Sequence, residues 1–182
     1  MIKSKDRSGW FGASDTSKIM GSWNTATCEA LWLEKLGLAK KTFTTSAMAA
    51  GTAKEHQILN ALGIDKRDRQ IRKRKYRLRV NLDGETRECI YEVKTYSAAA
   101  FKVNKAYWYQ AQVEMFAAGK PLKIAAYKVT EGDYNNFFLP VDMERLSIVP
   151  VEYDAAWIET EYLPRLRRLA DCLKKGVFPR ED

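Results

Sequence analysis

The sequence predicts a mixed α/β fold in one domain, on three observations. Helix-like segments with apolar residues at i, i+3, i+4 spacing recur along the chain, each closed by a glycine: Gly37, Gly63, Gly119 and Gly176. Between them lie short β-rich segments, among them an alternating one at Arg72–Leu82. A length of 182 residues with 46% apolar and 30% charged residues suits a globular domain, which at this size buries roughly 70% of its unfolded surface. That balance excludes a disordered, collagen-like or low-complexity chain.

Taken in order, Ser14 and Asp15 stand as caps ahead of a short turn, Thr16–Met20, closed by Gly21. Thr25–Leu36 reads as a helix with Ala30, Leu31, Leu33 and Leu36 among its apolar positions. Ser46–Leu62 is a second helix. Arg72–Leu82 and Cys89–Thr95 read as strands, joined across the polar, Gly-containing Asp83–Glu88 as a hairpin is. Ala98–Ala118 reads as a helix. Leu122–Val129 and Asn136–Val141 read as strands with Glu131-Gly132-Asp133 turning between them, and Ser147–Val151 as a short further one. Asp154–Lys175 closes the domain as a long helix with Leu163, Leu166, Leu169 and Leu173 inward.

Several function classes drop out early. No apolar run reaches the ~20 residues of a membrane span, and the start, Met1–Asp6, lacks an apolar signal stretch, so a soluble, cytoplasmic protein is expected. Cys28, Cys89 and Cys172 are odd in number and far apart, which argues against a disulfide framework, and His56 is the sole histidine, so no zinc cluster can be drawn. Any metal would be a hard ion held by carboxylates. The 31 Lys plus Arg against 23 Asp plus Glu give a net charge of +8, which points to a polyanion such as nucleic acid.

The positive charge is concentrated. Nine of the fourteen residues from Lys66 to Arg79 are Lys or Arg. Two-residue strand periodicity puts Tyr76, Leu78, Val80 and Leu82 on one face, and Lys75, Arg77, Arg79, Asn81 and Asp83 on the other. The stripe serves either as a nucleic-acid track or as a solvated edge strand guarded by its charges. Asp83 is followed, eight residues intervening, by Glu92-Val93-Lys94, with Glu92 and Lys94 on one strand face. A hairpin brings these together: two carboxylates and the Val93 carbonyl suit one or two Mg²⁺ or Mn²⁺ ions, and Lys94 would orient or deprotonate a water for phosphodiester hydrolysis. Cross-strand salt bridging is the plainer alternative for this spacing. Glu55 shares an apolar helix face with Met48, Gly51, Leu59 and Leu62, where a carboxylate is costly unless paired or metal-linked. Gln110 and Gln112 interrupt an apolar helix, as buried structural amides or as orienters of the centre.

Gly12-Ala13-Ser14-Asp15, Gly51-x3-Glu55, Asp83, Glu92-Val93-Lys94 and Gln110-x-Gln112 occur in an order that resembles the YqaJ-type, lambda-exonuclease-like branch of the PD-(D/E)XK nucleases. The resemblance spans about residues 7–120, and the Lys174–Pro179 tail is similar to the end of such domains. It implies a restriction-endonuclease-like core, a central mixed sheet flanked by helices. It also implies that Asp83 and Glu92 bind metal, Lys94 assists the water, Glu55 supports the metal shell, and one glutamine, Gln110 by preference, positions these groups. Arg7 and Ser14 match the family's spacing for a pocket that holds a DNA 5′-phosphate. A guanidinium gives bidentate phosphate contacts there, against the alternatives of a mobile terminal charge and a plain helix cap. Implied with these are 5′→3′ digestion of duplex ends to single strands for recombination, a strand-annealing partner and a ring-shaped trimer around DNA.

The sequence departs from the pattern in two places. Leu82 replaces the motif's proline, and the stretch Thr95–Ala100 lacks the arginine that grips the terminal phosphate, leaving Lys102 as its substitute. A structure-specific endonuclease with the same metal centre is the alternative reading. A binding module without catalysis is the other, although carboxylates beside a polyanion repel it unless a cation bridges them.

Overall fold

The computed structural model describes residues 6–39 and 46–180. Five strands form one mixed sheet in sequential order: β1 Lys66–Lys73, β2 Leu78–Glu85, β3 Ile90–Tyr96, β4 Leu122–Lys128 and β5 Leu146–Val151. Neighbours are antiparallel except β3 and β4. That parallel pair needs a crossover, which the helix Lys105–Ala118 supplies. The helices are α1 Thr16–Met20, α2 Ala26–Lys35, α3 Ser46–Ala61, α4 Lys105–Ala118, α5 Glu131–Asn135, α6 Ala155–Trp157 and α7 Leu163–Lys175, the last two joined by a π-helical turn, Ile158–Tyr162. The expected mixed sheet flanked by helices is what the chain forms.

β4, flanked by β3 and β5, is buried on both faces. Ile124 and Ala126 join a large apolar cluster with Phe11, Trp32, Val113 and Leu166, while Ala125 and Tyr127 join a smaller one with Ile58. A strand buried on both sides reads as a continuous apolar run, as Ile124–Tyr127 does. In α7 the leucines at 163, 166 and 169 are buried as their spacing predicts. The helix ends where Gly176 takes a left-handed φ of 68° that a Cβ would disfavour.

Three elements differ from the sequence reading. First, Arg72–Leu82 is not one strand. β1 already begins at Lys66, a 3-10 turn follows at Arg74–Tyr76, and Arg77 takes φ 51° before β2 starts. Ile71 is the lone apolar side chain in β1, a wet edge strand, so no alternation marked it. Second, α4 starts at Lys105, not Ala98. The Asn104 side chain accepts a hydrogen bond from the Tyr107 amide and fixes the start. Before it, Phe101 packs between Tyr96 and Tyr107, with ring centroids 5.3 and 5.9 Å away. Third, Glu131–Asp133 belongs to α5 rather than a turn, because Thr130 and Asp133 close a capping box, and no strand forms at 136–141.

α3 is held over the sheet by a buried ion pair. Lys54 Nζ lies 3.0 Å from Asp133 Oδ1, both side chains fully buried, and Arg145 donates to Asp133 Oδ2 at 2.6 Å. Removing one partner of such a pair strands the other charge. Asp133→Ala should therefore cost about 3–5 kcal/mol in urea unfolding at neutral pH. A loss below 1 kcal/mol would show that α3 is anchored by its apolar contacts instead.

Candidate active site

The site begins where two strands part. β1 covers one edge of β2 from Leu78 to Glu85. The other edge pairs with Phe11 at Leu78, and with β3 at Gly84↔Tyr91 and Glu85↔Ile90. Between those contacts β2 and β3 diverge. Asp83 bridges the opening with its side chain, Oδ2 accepting from the Val93 amide at 2.8 Å. The N–H and C=O of one strand residue point toward the same neighbour, so the Val93 carbonyl also faces β2 across this opening.

Glu92 and Lys94, one face apart by two residues as their spacing requires, meet above it. Lys94 Nζ donates to Glu92 Oε1 at 2.6 Å and to Gln110 Oε1 at 3.1 Å. Gln110, reaching down from α4, donates through Nε2 to the same Glu92 oxygen at 2.6 Å and to Glu114 Oε1 at 2.8 Å. Glu55 approaches from α3. Gly51, one turn before it, faces β3, where a Cβ would lie 3.4 Å from Thr95 Oγ1, an ordinary contact distance. Glu55, His56 and Asp68 offer ligand atoms within 4.8 Å of one another. Arg67↔Gly84 and Arg69↔Leu82 are paired, which sets Asp68 opposite Asp83, and Asp68 has a left-handed φ of 53°.

So many carboxyls in one volume disturb each other's ionisation. Burial, then the charges of Glu92 and Glu55, push Asp83 well above the usual carboxylate range despite the Val93 bond. Burial, with Glu92 and Asp83, does the same to Glu114. Glu55 is raised by burial, against the pull of His56, with Glu92 and Asp68 adding to the rise. For Lys94, burial lowers the pKa, but the ion pair with Glu92 more than offsets it and leaves the ammonium above its ordinary value. Of the two roles read from the sequence, orienting a water suits this charged lysine better than removing its proton.

Most of the expected centre is thus brought together: Asp83, Glu92, Val93, Lys94, Gln110 and Glu55. Gln112 is not part of it. Its amide donates to the Glu152 carbonyl at 2.7 Å and accepts from the Asp154 amide at 2.7 Å, tying α4 to the strand leaving β5. It is fully buried, and adjacent even positions on a helix point apart by about 200°. The basic residues also divide. Arg7 donates to Ser14 Oγ at 3.1 Å, and a Cβ on Gly12 would meet the Arg7 guanidinium at 3.3 Å. Burial, then the charges of Arg7 and Arg72, lower the pKa of the buried Arg79, so three guanidiniums and a hydroxyl share one neighbourhood. Lys75 and Arg77 instead belong to the β1–β2 turn, where the expected strand alternation breaks, and Lys102 is exposed between β3 and α4. Trp108 and Tyr109 pack on Trp157 with centroids 4.9 and 5.0 Å away, so these rings are partly engaged within the fold. Sequence reading missed Glu114 and Asp68. The i, i+4 spacing of Gln110 and Glu114 was the available signal for the first. Asp68 had none, because β1 itself was not recognised.

No protein-family model matches the sequence, and no characterised protein is similar to it at a significant level. Solved structures are. The alkaline exonuclease LHK-Exo from Laribacter hongkongensis matches with a TM-score of 0.62 at 17% identity, covering 93% of this chain and 94% of that one. LHK-Exo in complex with dAMP gives 0.69 at 18% identity over 93% and 90%. A phage-related exonuclease from Haemophilus somnus 129PT gives 0.68 at 14% identity over 92% and 96%. The chain therefore has the fold of these exonucleases.

The donor set fits a hard divalent cation: oxygen ligands from Asp83, Glu92 and Val93 at one opening, with carboxyls that repel one another without a positive charge between them. A carboxyl whose pKa is higher folded than unfolded contributes stability below its unfolded value of about 4, and that contribution fades as pH rises toward the raised value. Glu85, whose pKa is lowered, acts below that window, and the raised Lys94 acts far above it. As pH rises above about 4, the cation-free protein should lose stability from this site, and Asp83→Asn should flatten the slope. At pH 8, Mg²⁺ should raise the wild-type melting temperature by about 3 °C or more, the equivalent of roughly 1 kcal/mol, and leave Asp83→Asn unmoved. A pH slope unchanged by Asp83→Asn, or an equal Mg²⁺ response in the variant, would contradict this.

Proposed function

We propose that the protein is a divalent-metal-dependent deoxyribonuclease, and within that class a 5′→3′ exonuclease that digests duplex DNA from an end. The observation that carries the reading is the joint placement of Asp83, Glu92 and the Gln110-bound Lys94 at the β2–β3 opening. The exonuclease fold of its structural neighbours supports it.

In this reading Asp83, Glu92 and the Val93 carbonyl hold Mg²⁺ or Mn²⁺, one or two ions, with Glu55 supporting the shell from α3. A bound cation would supply charge stabilisation for the phosphoryl transition state and make a water more acidic. Lys94 has three N–H groups, of which two are engaged by Glu92 and Gln110, so the third is left to orient water or a phosphate oxygen. Arg7, Ser14 and Arg79 form the grip for a terminal phosphate, with Lys102 as a further contact and Lys75 and Arg77 along the duplex backbone. Such contacts weaken steeply with salt. Single-stranded products for recombination, a strand-annealing partner and a ring-shaped trimer enclosing DNA belong to the same proposal. Among the described residues no helix is long and apolar enough to cross a membrane.

The test is digestion of linear and covalently closed circular forms of one plasmid, with Mg²⁺ or EDTA, beside Glu92→Ala. Loss of the linear form alone is expected, stopped by EDTA and slowed at least about 100-fold by the substitution, as losing several kcal/mol of charge stabilisation requires. Arg7→Ala should remove the preference for 5′-phosphorylated ends while leaving the turnover of unphosphorylated ends within about twofold. Cutting of both plasmid forms would replace the exonuclease by an endonuclease. Binding of DNA without cutting in any divalent metal would overturn the enzymatic reading.

A further inference from the structure

Glu114 is a buried carboxyl that the proposed chemistry leaves unused. It sits on α4 one turn beyond Gln110, only 1% exposed, between the buried Val113 and Met115. A carboxyl at such depth is costly unless it is bonded, and its bond is to the Gln110 amide at 2.8 Å.

That bond is one of three that fix which way the amide points. Gln110 Nε2 donates to Glu92 Oε1 at 2.6 Å and to Glu114 Oε1 at 2.8 Å, while its oxygen accepts from Lys94 Nζ at 3.1 Å. A glutamine amide can rotate about its last bond and exchange oxygen for nitrogen. Turned over here, its oxygen would oppose two carboxyl oxygens and its NH₂ would oppose an ammonium. With Glu114 present, both amide hydrogens have acceptors, and the turned-over state gives up the bonds to Glu92 and Lys94. Without it, one hydrogen loses its acceptor in a half-buried place, and the amide is held by its other two bonds alone.

We propose that Glu114 is a positioning residue: it locks the Gln110 amide with its oxygen toward Lys94, and so holds the Lys94 ammonium against Glu92. The kinetic consequence rests on the nuclease reading, whereas the lock itself does not. Glu114→Gln keeps a carbonyl acceptor for Gln110, and Glu114→Leu removes it at similar volume.

The experiment reads the lock directly by NMR. The Gln110 side-chain amide is assigned by its disappearance in Gln110→Ala, and its proton exchange is measured in the cation-free protein. Both protons should be protected in the wild type and in Glu114→Gln, and one should exchange about tenfold faster in Glu114→Leu, the loss of one hydrogen bond of this kind. In parallel, Glu114→Leu should lower kcat about tenfold with the KM for DNA within twofold, and the double variant with Gln110→Ala should be no slower than Gln110→Ala alone. Should Glu114→Leu not fold, Glu114→Met answers the same question. Unchanged exchange in the apolar variant, or Glu114→Gln as perturbed as Glu114→Leu, would overturn the proposal. If the wild type cuts no DNA, the nuclease reading falls while the exchange measurement still decides the role of Glu114.

Discussion

The Asp83 carboxylate takes the place of a missing rung in the sheet. β2 and β3 share backbone pairing only through Gly84 and Glu85, and beyond it the Val93 amide would be left open at the opening between strands. Asp83 Oδ2 accepts that amide at 2.8 Å and so sets how far the strands part. That bond satisfies an amide for which the β2–β3 ladder supplies no partner. The rest follows from it. Gly84 next in line carries no Cβ, which would come within 2.7 Å of Leu59, and this lets α3 close down with Glu55 toward the same opening.

Crowding of like charge is the second consequence. Burial and the nearby Glu92 charge push Asp83, Glu55 and Glu114 upward, with Lys94 as the cation among them. A fold selected for stability alone would replace such a cluster with apolar residues, because burying ionised groups costs more than packing does. The arrangement makes sense when a further positive charge joins it. The same crowding accounts for the hub at Lys94: an ammonium braced by one carboxylate and one amide oxygen keeps its charge and its direction together.

Much of this was legible in the sequence. Periodicity located β3 and β4 in outline and the helices α2 and α3 nearly to their ends. The closing helix read from Asp154 is instead broken by a π turn before α7, and β2 runs on through Asp83 to Glu85, which the sequence assigned to the connection. The pairing of Asp83 with Glu92 and Lys94 was readable because strand alternation is local arithmetic. What was not legible depended on contacts distant in sequence. Gln112 has the same chemistry as Gln110, and the backbone of Glu152 and Asp154, some forty residues on, decides that it is structural. β1 was hidden because a charged edge strand carries no apolar alternation. The turn at Arg77 adopts a left-handed backbone without a glycine to announce it. The start of α4 was set by Asn104 against three alanines whose helix propensity pointed further upstream.

The central claim is that one small opening holds a hard cation between Asp83 and Glu92. Anomalous diffraction from crystals soaked in Mn²⁺ tests it most directly. The account predicts a peak in contact with the Asp83 and Glu92 carboxylates and the Val93 carbonyl, absent in Asp83→Asn crystals treated alike. No peak there at saturating Mn²⁺, or one confined to Glu55, His56 and Asp68, would contradict it.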